Sequence, residues 1–339
     1  MRSIFSLPTA LAALIGLASA LPMKRDAAAP GISANPVFQT NFPDPSILQD
    51  GKSWFAFATS GNGVHIQMAK SSDFSKWSVQ DGYDALPKLP PWVHTPDPQV
   101  WAPDVFKRDD GQYLMYYTAL HTPQKGQINR TLHCVGHALS SKPEGPYSPI
   151  SDEPLACPLE QGGAIDPSGF KDEDGTRYLL WKVDGNSIGN GGSCGNTNTP
   201  IIPTPIMLQK VAADGFTLMG SATQILDRST ADGPLVEAPS LAKVGGTYYL
   251  FFSSNCWNSP DYDINFATAS SITGPYTKTG PLLSTGDNTL ASPGGADVTG
   301  DGTQLVFHAN SQVADGRTMY AVDLGKVTGG NFGLKYANE

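Results

Sequence analysis

The chain has 339 residues, of which 40% are hydrophobic and 16% charged, with a formal net charge of −9 and a pI near 5.1. This balance, without a basic stripe anywhere in the sequence, excludes a nucleic-acid binder and favours a neutral or cationic partner. Gly 36 and Pro 28 together make fewer than one residue in five, below the roughly 25–30% of low-complexity chains, so a folded chain with many tight turns is expected.

The first element is a targeting pattern. Arg2 supplies a positive start, Leu7 to Leu17 an apolar stretch, and Ala18-Ser19-Ala20 a small-residue cleavage site. Residues 1–20 are thus expected to be a signal peptide and the protein to be secreted and extracellular. The apolar stretch is too short to act as a membrane anchor, and no later run reaches about 18 apolar residues, so no membrane partner is expected. Lys24-Arg25 reads as a dibasic processing site, which makes 21–30 a propeptide or linker and 31–339 one domain.

Within that domain a short phrase recurs five times. The copies begin Asp44-Pro45-Ser46, Ala102-Pro103-Asp104, Asp166-Pro167-Ser168, Ala238-Pro239-Ser240 (after Glu237) and Gly295-Ala296-Asp297. Each is followed by a Gly-containing turn, as at Asp50-Gly51, and then by an aromatic-rich run, as at Tyr113 to Tyr116 and Tyr248 to Phe251. A repeat of this length marks a repeat architecture. In the first copy Ser46 to Leu48, Trp54 to Thr59, His65 to Lys70 and Trp77 to Val79 read as four short strands. Four evenly spaced strands per unit predict an all-β, five-bladed β-propeller. No amphipathic helical period competes with that reading.

In a propeller the first strand of each unit lines the central axis. Asp44, Asp166 and Glu237 then come to equivalent ends of three inner strands and face one funnel. The connections at 83–101, 119–133, 184–204 and 254–263 return to the same end, which predicts a walled pocket. Two carboxyl groups facing each other across a cleft suit glycosidic bond hydrolysis, one protonating the leaving oxygen while the other activates water or attacks the sugar. A third nearby would raise the acid's pKa by like-charge repulsion. Trp54, Trp101 and Trp181 are candidates to stack on a sugar, and Trp101, Phe42 and Arg317 are the expected substrate contacts. A lone Asp before Pro is ordinarily a turn opener; three acidic groups at matching repeat positions argue for chemistry instead.

The blocks Asn41-Phe42-Pro43-Asp44-Pro45-Ser46, Trp101-Ala102-Pro103-Asp104-Val105, Ala164-Ile165-Asp166-Pro167-Ser168 and Val236-Glu237-Ala238-Pro239-Ser240 resemble the signature blocks of family 43 glycoside hydrolases. The resemblance runs from about Asn41 to Leu324. It implies an inverting enzyme with Asp44 as general base, Glu237 as general acid and Asp166 tuning and orienting the acid. It also implies a place for His308 facing an ion or water in the central channel; a hydrogen-bonded core histidine is the other reading. No cofactor is required for the chemistry, and a structural ion there would be calcium, given oxygen-rich coordination.

The expected activity is exo-acting hydrolysis of α-L-arabinofuranosidic linkages in plant arabinan or arabinoxylan by a monomer. A β-xylosidase, an endo-arabinanase and a non-catalytic carbohydrate-binding propeller are the alternatives. Arg317 either reaches a substrate hydroxyl or is a solvated surface residue. Four cysteines in a secreted chain suggest two disulfides, and adjacency of the connecting loops favours Cys134–Cys157 with Cys194–Cys256. Asn129-Arg130-Thr131 is a glycosylation sequon.

Overall fold

The structure is a computed structural model that describes residues 35–123, 131–311 and 316–324. The segments read as signal peptide and linker, and the Asn129 sequon, lie outside the described residues. Five antiparallel sheets follow one another along the chain. Blade I holds β1 (Ser46–Asp50), β2 (Ser53–Ala58), β3 (Gln67–Ser71) and β4 (Trp77–Val79). Blade II holds β5 (Trp101–Lys107), β6 (Tyr113–Leu120), β7 (His133–Ser140) and β8 (Ser148–Pro149). Blade III holds β9 (Ala164–Lys171), β10 (Arg177–Val183), β11 (Ile206–Val211) and β12 (Thr223–Leu226). Blade IV holds β13 (Val236–Val244), β14 (Thr247–Ser254), β15 (Asp263–Ala269) and β16 (Thr277–Leu283), and blade V has β17 (Gly294–Val298), β18 (Gln304–Asn310) and β19 (Arg317–Asp323).

Each second strand reads as an unbroken apolar run because it is buried on both faces. Along β6, Tyr113, Met115 and Tyr117 pack toward blade I beside Phe55, Phe57 and Met68, while Leu114 and Tyr116 pack toward blade III beside Leu179 and Trp181. Period-2 alternation thus sends successive side chains into two different cores. Five such cores, one between each pair of neighbouring blades, make a closed five-bladed propeller. The last core joins blade V to blade I through Ile47, Trp54, Val306 and Met319. There Val37 and Phe42 donate backbone N–H bonds to Met319 and Arg317 of β19, at 2.9 and 2.7 Å, so the segment before β1 seals the ring.

Candidate active site

The five inner strands share a backbone kink. Asp44, Ala102, Asp166, Ala238 and Gly295, the first residues of the five repeats, all have positive φ, between 41° and 56°. For the four that are not glycine this left-handed conformation costs about 1–2 kcal/mol each. The kink turns each N–H away from its own ladder, and a side chain meets it. The Ala102 N–H donates to Thr59 Oγ1 at 2.9 Å, Asp166 N–H to Thr118 Oγ1 at 3.0 Å, Gly295 N–H to Ser253 Oγ at 2.9 Å, and Asp44 N–H to His308 Nδ1 at 3.0 Å. Thr59, Thr118, Ser253 and His308 occupy matching positions, each within two residues of the end of the second strand and opposite the residue before a kink. The matching residue of blade III is Lys182, opposite Ile165. It has no acceptor, and the Ala238 N–H goes instead to Asp166 Oδ2 at 2.9 Å.

Two residues further along, the inner strands are stitched together. Asp104 accepts the Gly169 N–H of the next blade, Asp297 Oδ2 accepts the Ile47 N–H at 2.8 Å, and Ser240 Oγ donates to Asp297 Oδ1 at 2.8 Å. Burial and the Asp297 charge push Asp104 up to about 8, and burial pushes Asp297 up to about 6.

The kinks place three carboxyl groups around one cavity of about 350 Å³ on the ring axis. It is lined by Asp44, Asp166, Glu237, Trp101, Arg317 and Trp257, among others, and lies at the small end of the usual range for ligand pockets. Asp44 accepts from Thr59 Oγ1 at 2.6 Å and from Arg317 Nη1 at 3.0 Å. Burial alone would raise its pKa; the Arg317 guanidinium and the Thr59 hydroxyl outweigh that and hold it below the usual carboxylate value. His308 is fully buried, and desolvation with Arg317 close by brings its pKa down to about 3. The imidazole is therefore neutral, and its Nδ1 lone pair holds the Asp44 backbone.

Glu237 is buried and satisfied at both oxygens. Lys182 Nζ donates to Oε2 at 3.1 Å, and the Tyr262 hydroxyl donates to Oε1 at 2.8 Å. Lys182 is fully buried and also pairs with Asp184 at 2.9 Å. Burial works against its charge, yet Asp184, Glu237 and Asp166 together keep it firmly protonated. Asp166 is held well above its ordinary value by burial and by the neighbouring Glu237 charge.

The expected contacts divide. Trp101 lines the cavity and stacks on His133 with ring centroids 3.9 Å apart. Arg317 also lines it, bonded to Asp44. Phe42 does not: it is fully buried in the core between blades V and I, with Trp54, and Trp181 is buried in the core between blades II and III. The 184–204 connection contributes no lining residue among those described; it carries Cys194, which is bonded to Cys256 with Cα atoms 5.6 Å apart. The other bridge joins Cys134 to Cys157.

His308 does not suit an ion ligand. Its Nδ1 is committed to the Asp44 N–H, and the cationic Arg317 Nη1 stands 3.4 Å from Nε2. Among the described residues, the grouping of potential ligands is His121 with Cys134 and Cys157, whose sulfurs form a disulfide. Thr59, Lys182, Tyr262 and Trp257 are site residues that the sequence reading missed.

The description "Glycosyl hydrolases family 43" matches residues 33–328. The chain is 31% identical over 289 residues to "Probable arabinan endo-1,5-alpha-L-arabinosidase C" of Aspergillus flavus, covering 78% of this chain and 81% of that protein. It is 25% identical over 306 residues to "Beta-D-galactofuranosidase xynD" of Aspergillus niger, covering 81% and 76%. A solved thermostable family-43 glycoside hydrolase superposes with a TM-score of 0.70 at 26% identity, covering 85% of this chain and 91% of that one.

Proposed function

We infer the function from one premise, that the chain belongs to glycosyl hydrolases family 43. It is a glycoside hydrolase acting on O-glycosidic bonds of a polysaccharide or oligosaccharide. We propose that the bond is an α-L-arabinofuranosidic linkage in plant arabinan or arabinoxylan, cleaved from chain ends, with inversion, by a secreted monomer. The arabinan-cleaving relative supports the sugar. The small axial cavity, with tryptophans on its walls, supports end-on binding.

One observation carries the mechanism: Asp44 and Glu237 line one cavity, Asp44 held by Arg317 and Thr59 and Glu237 by Lys182 and Tyr262. Asp44, kept ionised by Arg317 and Thr59, takes a proton from water as the water oxygen bonds to the anomeric carbon. Glu237 gives its proton to the leaving oxygen as the glycosidic C–O bond breaks. Asp44 then returns its proton to solvent and Glu237 takes one from solvent, which restores both groups. Arg317, clamped between Asp44 and the Trp257 ring at 5.1 Å, is placed to bind a hydroxyl of the sugar being cleaved.

The test is a panel of nitrophenyl α-L-arabinofuranoside, β-D-xyloside and β-D-galactofuranoside with linear arabinan, followed by proton NMR of the first-formed sugar. Preference for the arabinofuranoside and an inverted anomer are expected. The Aspergillus niger relative favours a second reading, which a dominant galactofuranoside rate would establish. Sugar binding without turnover of any panel member would instead indicate a non-catalytic propeller.

A further inference from the structure

Four of the five blades answer the kink of the next blade with a neutral acceptor: Thr59, Thr118, Ser253 or His308. Blade III alone breaks the pattern, with Lys182. A threonine performs the structural task in blades I and II, so the ring itself does not require an ammonium group here. Burying a charge costs several kcal/mol unless it is closely paired. Lys182 meets that requirement with two carboxylates, Glu237 at 3.1 Å and Asp184 at 2.9 Å. Asp184 in turn accepts from the Ser187 hydroxyl. The charged and titratable groups around the ammonium are therefore Glu237, Asp184 and Asp166, with Tyr262 on the far oxygen of Glu237 and His133 beyond Asp184.

Resting on the acid role given to Glu237 above, we propose that Lys182 is a positioning residue for proton transfer. It anchors Glu237 through Oε2 and so makes Oε1, beneath Tyr262, the oxygen that delivers and recovers the proton. An ammonium group can donate but cannot accept, so the bond at Oε2 fixes the carboxyl plane and leaves a single oxygen for the exchange. As the leaving oxygen takes the proton, negative charge grows on Glu237 next to a cation already in place. Such preorganised stabilisation needs no rearrangement at the moment of reaction.

The test replaces Lys182 by what the other blades use. Lys182→Thr, and the charge-balanced pair Lys182→Thr with Asp184→Asn, should both melt cooperatively. On an oligosaccharide that the wild type cleaves, kcat should fall about 100-fold, within the range of an acid-catalysis defect, with KM within about threefold. A dinitrophenyl glycoside, whose leaving group needs little protonation, should lose less than about fivefold. Equal loss on both substrates, or retention of kcat on the oligosaccharide, would overturn the proposal. A crystal structure of the balanced variant supplies a readout independent of substrate: Glu237 should leave its single position against Tyr262, and an unmoved carboxylate would also overturn it. If instead Glu237→Gln keeps full activity, the acid assignment fails, and the crystallographic arm still judges the Lys182 anchor.

Discussion

Thr59 joins two parts of the site through one hydroxyl. Its Oγ1 donates to Asp44 Oδ2 at 2.6 Å and accepts the Ala102 N–H at 2.9 Å, tying Asp44 to the kink of the neighbouring blade. Thr59→Val keeps the shape and removes both bonds, so no cavity obscures the result. Losing a hydrogen bond to a charged group costs about 1.5–3 kcal/mol and leaving a partly buried N–H unpaired about 1–3 kcal/mol. Because Ala102 keeps some access to water, a total of about 2–4 kcal/mol is expected, which lowers Tm by about 3–7 °C in a domain of this size. The pH dependence has a definite sign. Asp44 is depressed below 3.8 in the folded state, so its stabilisation is present above pH 3.8 and disappears as pH falls through the lower folded value. The Tm gap between wild type and Thr59→Val should therefore be widest near neutrality and narrow in strong acid, and the acid limb of kcat/KM should move to higher pH in the variant. Thr59→Ser should restore both behaviours. Equal melting of wild type and Thr59→Val at pH 6, with an unmoved acid limb, would refute the argument.

Glu237→Gln should reduce turnover of natural substrates by about 10²–10⁴-fold while sparing aryl glycosides with good leaving groups; equal losses on both would remove Glu237 from the acid role. Asp44→Asn should abolish turnover whatever the leaving group, and a retained anomer from the wild type in the NMR assay would rule out single displacement. Trp257, 48% exposed on a turn tethered by Cys256, should act as a stacking wall. Trp257→Ala should raise KM for oligosaccharides about tenfold, as loss of a buried aromatic contact does; the paired Cys194→Ser and Cys256→Ser change should shift KM the same way, and unchanged KM values would dismiss this wall. Because His308 Nδ1 is committed to the Asp44 N–H and the Arg317 cation stands beside Nε2, dialysis against a chelator should leave kcat/KM unchanged, and a loss restored by calcium would show that an ion sits on the axis.

The repeat was legible because each kink needs a particular residue type before a proline or small residue, and the Asp-Pro and Ala-Pro steps survive in the sequence as a fixed phrase. The blade cores were legible from aromatic runs. Those same runs misdirected the choice of sugar contacts: Phe42, two residues before the Asp44 kink, turns inward, and Trp54 and Trp181 lie on strands whose faces are both covered. Thr59 and Lys182 could have been found, since aligning the five repeats on their second strands brings Thr59, Thr118, Lys182, Ser253 and His308 into register, with the lysine as the outlier. Tyr262 and Trp257 could not. They belong to an irregular connection whose path is set by the Cys194–Cys256 bridge and by Ser292 and Thr285, which bond the Ser259 and Pro260 carbonyls, and no period announces them.

The site arises where the repeats stop being equivalent. Asp44 and Asp166 sit on the kink itself, whereas Glu237 sits one residue before it, with its carboxyl against Lys182 and Tyr262. Between the blades of Asp44 and Glu237 lies blade V, and its kink residue has no side chain. A Cβ at Gly295 would come within 2.6 Å of the His308 ring and 3.2 Å of Asp44 Oδ1, so any larger residue would displace the imidazole that holds the base. Inverting hydrolysis needs room for a water between its two carboxyl groups, at separations of roughly 6.5–9.5 Å. A ring with acids on adjacent blades would crowd that space. Asp44 on blade I and Glu237 on blade IV instead stand one blade apart, with Gly295 on the blade between them and His308 and Arg317 bonded behind Asp44.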